Sequence, residues 1–240
     1  MGSMVPVILS IGGATSQFLA RLNANGSLDS TFTATVNGPI QCIAVESNGQ
    51  ILIGGSFSSV DGIARGNIAR LNADGTVDGV FNPDVNSNVL AVAPLSSGQI
   101  LIGGNFSLLA PNGSTTGYAV SNLARLNSDG SVDLTFNPSP NGSVFAITID
   151  GNGDYVVGGG FTTIGGVSEG YIARLLPSGL LDSSSFNPEA NLPVYAIAIQ
   201  SNKQILIGGT FTALAPQTSK AAPASTSPNP PIGGIPFGTV

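Results

Sequence analysis

Ala69-Arg70-Leu71-Asn72-Ala73-Asp74-Gly75-Thr76-Val77-Asp78 places a tight turn between an Arg and an Asp eight residues apart, and the chain repeats the arrangement. The other copies run from Arg21 to Asp29, from Arg125 to Asp133 and from Arg174 to Asp182, each Arg inside Ala-Arg-Leu. Successive Arg residues are 49, 55 and 49 positions apart. Outward from this core a Phe follows each Asp (Phe32, Phe81, Phe136, Phe186), and Gly-Gly-x-Phe closes each unit at Gly54, Gly103, Gly158 and Gly208. A period near 50 marks a repeat architecture and outranks any single local motif.

The interval of eight has a geometric cause. A turn centred on Asn25-Gly26 sets residue 23 against 27, 22 against 28 and 21 against 29, so Arg21 faces Asp29 across a hairpin. Asp74-Gly75, Asp129-Gly130 and Ser178-Gly179 do the same for Arg70 and Asp78, Arg125 and Asp133, and Arg174 and Asp182. Directly opposed unlike charges favour a pairing by roughly 0.2–1 kcal/mol. These pairs therefore read as register pins rather than as a ring of catalytic acids or ligand-binding arginines.

A second hairpin precedes each Gly-Gly. Ile40-Gln41-Cys42-Ile43-Ala44 turns through Asn48-Gly49 into Gln50-Ile51-Leu52-Ile53, and the other units follow suit. Asn-Gly between apolar runs predicts a turn with positive φ at both central residues. Lys203 stands where the other copies have Gly, so its turn is expected to be strained. Strands apolar on both faces fit a sheet packed between neighbouring sheets. Cys42 aligns with Ala91, Ala146 and Ala196 and reads as a small core residue. The paired glycines read as a bulge or close backbone contact, because no helix follows to make a phosphate cradle. The Phe of Gly-Gly-x-Phe is expected between blades.

Four short strands per unit make an all-β propeller of about four four-stranded blades. The chain opens with the second half of a blade, at Phe18–Asn23 and Leu28–Phe32, and closes with a first half, at Val194–Ile199 and Gln204–Phe211. The ring is expected to close by pairing these ends; five blades, or an arc completed by another chain, are the alternatives. Ile8-Leu9-Ser10-Ile11-Gly12-Gly13 resembles a further Gly-Gly strand. The organisation is a tag-like or extra-strand segment over 1–17, propeller repeats over 18–214, and a Pro-rich arm over 215–240. That arm ends in an apolar tip at Phe237, which could dock to a partner or be a disordered terminus. Met1–Ile11 lacks a basic n-region, so no secretory signal is expected there, and Met1–Met4 is either native or a cloning remnant.

Composition narrows the function. Charged residues are 8% of the 240, against about 25% in ordinary soluble domains, and the net charge is −6. Of the seven Lys and Arg residues four are the repeated pins, which leaves little to neutralise phosphates; nucleic acid is not an expected partner. No apolar run is long enough for a transmembrane helix. With no His and one Cys, Ser-His-Asp, Cys-His and zinc-thiolate chemistry are excluded, and no cofactor is expected. A carboxylate hydrolase would need acids off the repeat lattice: Glu46, Asp61, Asp84, Asp150, Asp154, Glu169 or Glu189. Asp150, Asn152 and Asp154 form a weak calcium-loop string, lacking the twelfth-position Glu, since Phe161 stands there. Asn-x-Ser strings at Asn25, Asn105, Asn112 and Asn141 read as turn chemistry or unused acceptors.

The longer 55-residue interval holds six extra residues between Ser107 and Asn122. Insertions on repeat scaffolds emerge on one face, often the binding face. Leu109, Asn112 and Tyr118 are the candidate contacts to a partner.

The stretch from Ala69 to Pro83, followed by Gln99-Ile100-Leu101-Ile102-Gly103-Gly104-Asn105-Phe106, resembles the delta-60 repeat β-propeller family over about residues 18 to 212. The resemblance implies a bacterial or phage surface or secreted protein and brings no catalytic residue or cofactor. The expectation is a non-enzymatic structural or adhesive module of a virion or extracellular surface. It would contact protein partners in a larger assembly or a host-surface receptor, with homo-oligomerisation possible. A carbohydrate-binding propeller is the alternative and a carboxylate-dependent hydrolase the remote one.

Overall fold

The computed structural model describes residues 10–11, 14–15 and 18–215. Three complete blades follow one another along the chain. Their innermost hairpins are Ile40–Val45 with Ile51–Gly55, Val89–Pro94 with Ile100–Gly104, and Val144–Ile149 with Tyr155–Gly159. Ile68–Leu71, Leu123–Leu126 and Ile172–Leu175 add the third strand of each, all antiparallel. The fourth strand is reduced to a single bridge per blade, Leu71 to Val77, Leu126 to Val132 and Leu175 to Leu181. The propeller blades expected from the repeat are therefore present, with a vestigial outer edge.

The expected closure of the ring is not seen among the described residues. Val194–Ile199 and Ile205–Gly209 form a two-stranded sheet of their own. At the other end Leu22 pairs with Leu28 across its own hairpin, and that half-blade lies beside the first complete blade, where the Arg21 guanidinium donates to the Ala73 carbonyl. The blades thus stand in sequence order as an open series, half-blade to half-blade. Ser10–Ile11 pairs with Ala14–Thr15 rather than extending a blade; the rest of the Ile8–Gly13 string and Phe237 lie outside the described residues.

Turn chemistry differs from the sequence expectation in one respect. At Asn48-Gly49 only the glycine is left-handed, at φ 86, and Gly49 N donates to Glu46 O while Glu46 N donates to Gln50 O. This is a three-residue loop with an αL glycine, not a two-residue turn with two positive φ values. The Lys203 amide makes the same bond to Gln200 O, with Lys203 forced to φ 69. The true two-residue primed turns sit elsewhere, at Asp61-Gly62 (φ 49 and 75) and Gly165-Gly166 (φ 60 and 76). They close the small hairpins Ser59–Val60/Ile63–Ala64 and Thr163–Ile164/Val167–Ser168 that follow Gly-Gly-x-Phe.

The paired glycines are close-contact sites, as expected. A Cβ on Gly54 would lie 2.7 Å from Cγ1 of Val89 in the next blade, and on Gly103 2.6 Å from that of Val144. A Cβ on the second glycine, Gly104, would lie 2.1 Å from the Asn88 carbonyl oxygen of its own blade. The register shift of a β-bulge lies opposite, between Val89 and Ala91. Phe57, Phe106 and Phe161 are buried. Cys42 faces the second blade, its Sγ 3.7 Å from the Val89 carbonyl, and burial pushes its thiol up to about 12. That is the behaviour of a core residue rather than of a nucleophile.

Candidate functional site: the insertion hairpin and the pins that frame it

All four Arg–Asp pairs form. Nε of Arg21, Arg70 and Arg125 donates at 2.8 Å to Oδ2 of Asp29, Asp78 and Asp133, and Arg174 donates to Asp182 from Nη2 at 2.6 Å. Each guanidinium also lies over the Phe that follows, 4.7 Å from the ring centroids of Phe32, Phe81 and Phe136 and 5.1 Å from that of Phe186. The Phe rings in turn reach the next blade: a Cβ on Gly75 would meet Phe32, and one on Gly179 would meet Phe136. Arg21 and Arg125 donate to carbonyls of the following blade, at Ala73 and Pro177. Each pin therefore ties strand to strand, and the first three, through Phe32, Phe81 and Phe136, tie blade to blade.

The Asp carboxylates are held as anions. Burial alone would raise Asp182, but hydrogen bonds from Ser185, Arg174 and Ser184, with the Arg174 charge, bring it down to about 2. Asp78 and Asp133 are lowered too, burial being outweighed by bonds from Val80 and Arg70, and from Thr135 and Arg125. The Oδ2 atom of each Asp is taken up by its guanidinium, so these carboxylates serve as structural ion-pair partners.

The off-lattice acids are dispersed. Asp61 Oδ1 accepts from Thr35 N at 2.7 Å, and Glu46 sits 3.8 Å from Arg70, its carboxyl raised by burial. Glu169 is fully buried. Asp84 and Glu189 prove to be on the lattice, both left-handed (φ 48 and 42) one residue after the Asn-Pro of their units. The calcium string is a turn instead of a cation loop. Asp150 Oδ1 accepts from Asn152 N at 2.8 Å and from Asp154 N at 3.0 Å, while Oδ2 lies 3.9 Å from Arg174. With one oxygen committed to the backbone and a guanidinium beside the other, this cluster does not fit a divalent cation. Among the described residues no group of three or more acidic, Cys or His side chains converges as a metal site.

The insertion lengthens one of the small hairpins. Leu108–Leu109 pairs with Tyr118–Ala119, and a 3-10 turn at Pro111–Gly113 replaces the two-residue primed turn of the neighbouring blades. Leu109, expected to touch a partner, is instead buried, bridged to Val85 and packed with Phe81 and Phe106. Strand alternation puts Leu108 on the outer face, and it is exposed together with Asn112 and Tyr118. A Cβ on Gly117 would fall within 3 Å of the Leu108 side chain, so that glycine lets the hairpin close over Leu108.

What aims this hairpin was not anticipated from the sequence. Asn86 Oδ1 accepts from Ser107 N and Leu108 N, while its Nδ2 donates to Ser107 Oγ. Asn37, Asn141 and Asn191 repeat the clamp on Ser58–Ser59, Thr162–Thr163 and Thr212–Ala213. The signal was present as an Asn three residues before each inner strand, but its partners lie 21 and 22 residues away, beyond any local turn rule.

The blades, their order and their bulged Gly-Gly contacts define a β-propeller repeat protein. A family model described as "Domain of unknown function (DUF5122) beta-propeller" matches residues 8–32, 46–81, 95–136 and 151–184, and the chain belongs to that family. Among solved structures the WD40 β-propeller domain of Doa1 aligns at 18% identity with a TM-score of 0.52, over 77% of this chain and 52% of that one. The extracellular domain of a putative one component system, BT4673 from B. thetaiotaomicron, aligns at 14% identity with a TM-score of 0.21, over 71% of this chain and 33% of that one. The chain thus spans about half, or less, of these two structures. A search of curated proteins returns no match. No helix among the described residues is long and apolar enough to cross a membrane.

Proposed function

We propose that the chain is a non-enzymatic binding scaffold of a surface assembly, in a virion or on an extracellular bacterial protein, and that it contacts its protein partner through the insertion hairpin. The observation that carries this reading is the contrast between repeat and insertion. The repeated charges are consumed in cross-strand pins, whereas the insertion between Ser107 and Asn122 turns Leu108 and Tyr118 outward on a clamped hairpin. Aromatic and aliphatic anchors on a rigid element are what a protein contact needs. The low charge and the delta-60 resemblance support a surface setting over an intracellular one. Deleting Asn112–Gly117 is expected to leave the thermal melt within a few degrees of wild type and to abolish partner capture on the host surface or virion. Unchanged capture would remove the hairpin from consideration. A glycan array separates the carbohydrate-binding alternative: specific glycan binding lost on Tyr118→Ala would replace the protein-contact reading.

A further inference from the structure

The two ends of the blade series are complementary, and the internal blades state how they fit. At the C-terminal end no third strand pairs with the hairpin Val194–Gly209 among the described residues, and no described blade covers its forward face. Leu206 is 56% exposed, while its counterparts Leu52, Leu101 and Val156 are fully buried. A Cβ on Gly208 would meet only Ala196 of its own hairpin, whereas one on Gly54, Gly103 or Gly158 would strike the next blade. At the N-terminal end the reverse holds. Among the described residues no strand flanks Ala20–Leu22 on the side away from Leu28, and Leu22 is 52% exposed against zero for Leu71, Leu126 and Leu175. The backward face of the first complete blade is equally open, with Ile43 at 55% and Val45 at 64%. Together these surfaces outline a slot with the dimensions of one inner hairpin, an edge on Ala20–Leu22 and a wall of Ile43 and Val45.

We infer that a second copy of this chain fills that slot with its Val194–Gly209 hairpin, and that two copies, each giving and receiving a hairpin, close one ring. The register follows from the internal pairs Ile51↔Leu71, Leu52↔Arg70 and Ile53↔Ala69: Ile205 opposite Leu22, Leu206 opposite Arg21, and Ile207 opposite Ala20. The same insertion brings Leu206 and Ala196 onto Ile43 and Val45, as Leu52 and Cys42 pack on the following blade. A hairpin supplies both the strand and the facing sheet that the slot lacks among the described residues. The curvature fits two copies: the series aligns with 52% of a WD40 propeller domain, so a ring of that curvature takes about two such series. Reciprocal head-to-tail contacts that close leave no free edge.

The test is the mass of the full chain by sedimentation equilibrium. The expected value is about twice 24.0 kDa at micromolar concentration. Leu206→Asp damages only the hairpin and Ile43→Asp only the slot, so each variant alone should run at 24.0 kDa with unchanged far-UV circular dichroism. Mixing the two should restore a dimer, because the intact hairpin of the Ile43→Asp chain meets the intact slot of the Leu206→Asp chain. A wild type that stays monomeric, whether closed on itself or with its own N-terminal strand in the slot, overturns the inference. So does a dimer that survives both substitutions, or a mixture that remains monomeric. The outcome is independent of the insertion hairpin and leaves its partner capture to be judged separately.

Discussion

The Arg–Asp pins differ in burial, and that difference should be measurable one residue at a time. Arg125 and Asp133 are 11% and 12% exposed, and Asp133 also receives Gln99 Nε2 at 3.0 Å. Removing Arg125 leaves a shielded carboxylate without its cation, uncovers Phe136 and drops the bond to Pro177. Arg125→Ala is expected to cost about 2–3 kcal/mol. Arg21 is 36% exposed, and Arg21→Ala should cost less than about 1 kcal/mol. Comparable losses in urea titrations would show that burial does not set the value of a pin. The pins also fix the response to acid. Asp182 titrates at about 2 in the folded chain against about 3.9 in an unfolded one, and Asp29, Asp78 and Asp133 are likewise lowered. A depressed folded value means stability fully present above the unfolded value and lost as pH falls through the folded one. The melting temperature should therefore be flat from pH 7 to about pH 5 and fall between about pH 4 and pH 2. Glu46, raised by burial, works in the opposite direction as a single group. Asp182→Asn should shorten the acid-dependent fall, and a fall of unchanged depth would rule out the pin as its source.

At the scale of elements, local pattern was readable wherever partners lie within one hairpin. The pairing of residues 21 with 29 follows from turn length alone, and Asp29 N indeed donates to Arg21 O at 2.9 Å. The error over Asn48-Gly49 has the same locality: Asn-Gly suits a primed turn, but the strand ends at Val45 and Ile51 demand a three-residue loop. The primed turn was hidden at Asp61-Gly62, between strands of two residues that carry too little pattern to announce themselves. Leu109 was misplaced for a related reason. Two-residue alternation decides which Leu faces out, and that choice depends on the Val85 bridge and the Asn86 clamp, both distant in sequence. The inner-turn expectation leads to a direct measurement. Gly49, Gly98 and Gly153 hold φ between 83 and 88, where Lys203 carries a Cβ at φ 69. Lys203→Gly relieves a left-handed side chain and should stabilise by about 0.5–1 kcal/mol after the unfolded-state entropy of glycine is deducted. That corresponds to a rise of about 1–4 °C. The matching change Gly98→Lys should lower the melt by a similar amount, and a neutral result for both would mean the turn carries no strain.

The whole molecule is a one-dimensional series, and its stability should be graded along the chain. In repeat arrays each unit is held by its own sheet and by its two neighbours, so a unit with one neighbour opens more readily than a unit with two. The central hairpin Val89–Gly104 is covered on both faces, and Leu101 and Ile102 are fully buried. Among the described residues Val194–Gly209 has one neighbouring blade and no third strand. The repeat made this series legible in the sequence, but not whether its ends meet. Closure depends on the small rotation between blades, set by contacts such as Gly54 against Val89 and Gly103 against Val144, and that rotation has no signature in residue order. Amide hydrogen exchange reads the gradient directly. At dilutions that hold the chain as a monomer, amides of Ile205–Gly209 and Ala20–Leu22 should exchange at least roughly tenfold faster than those of Ile100–Gly104. As concentration rises and hairpins enter slots, the two terminal sets should slow together, because each seam protects one strand from each copy. The interior set should stay constant. Terminal strands that are already slow at high dilution would show ends paired within one chain. Terminal strands that stay fast at every concentration would show an array whose open edges find no partner in a second copy.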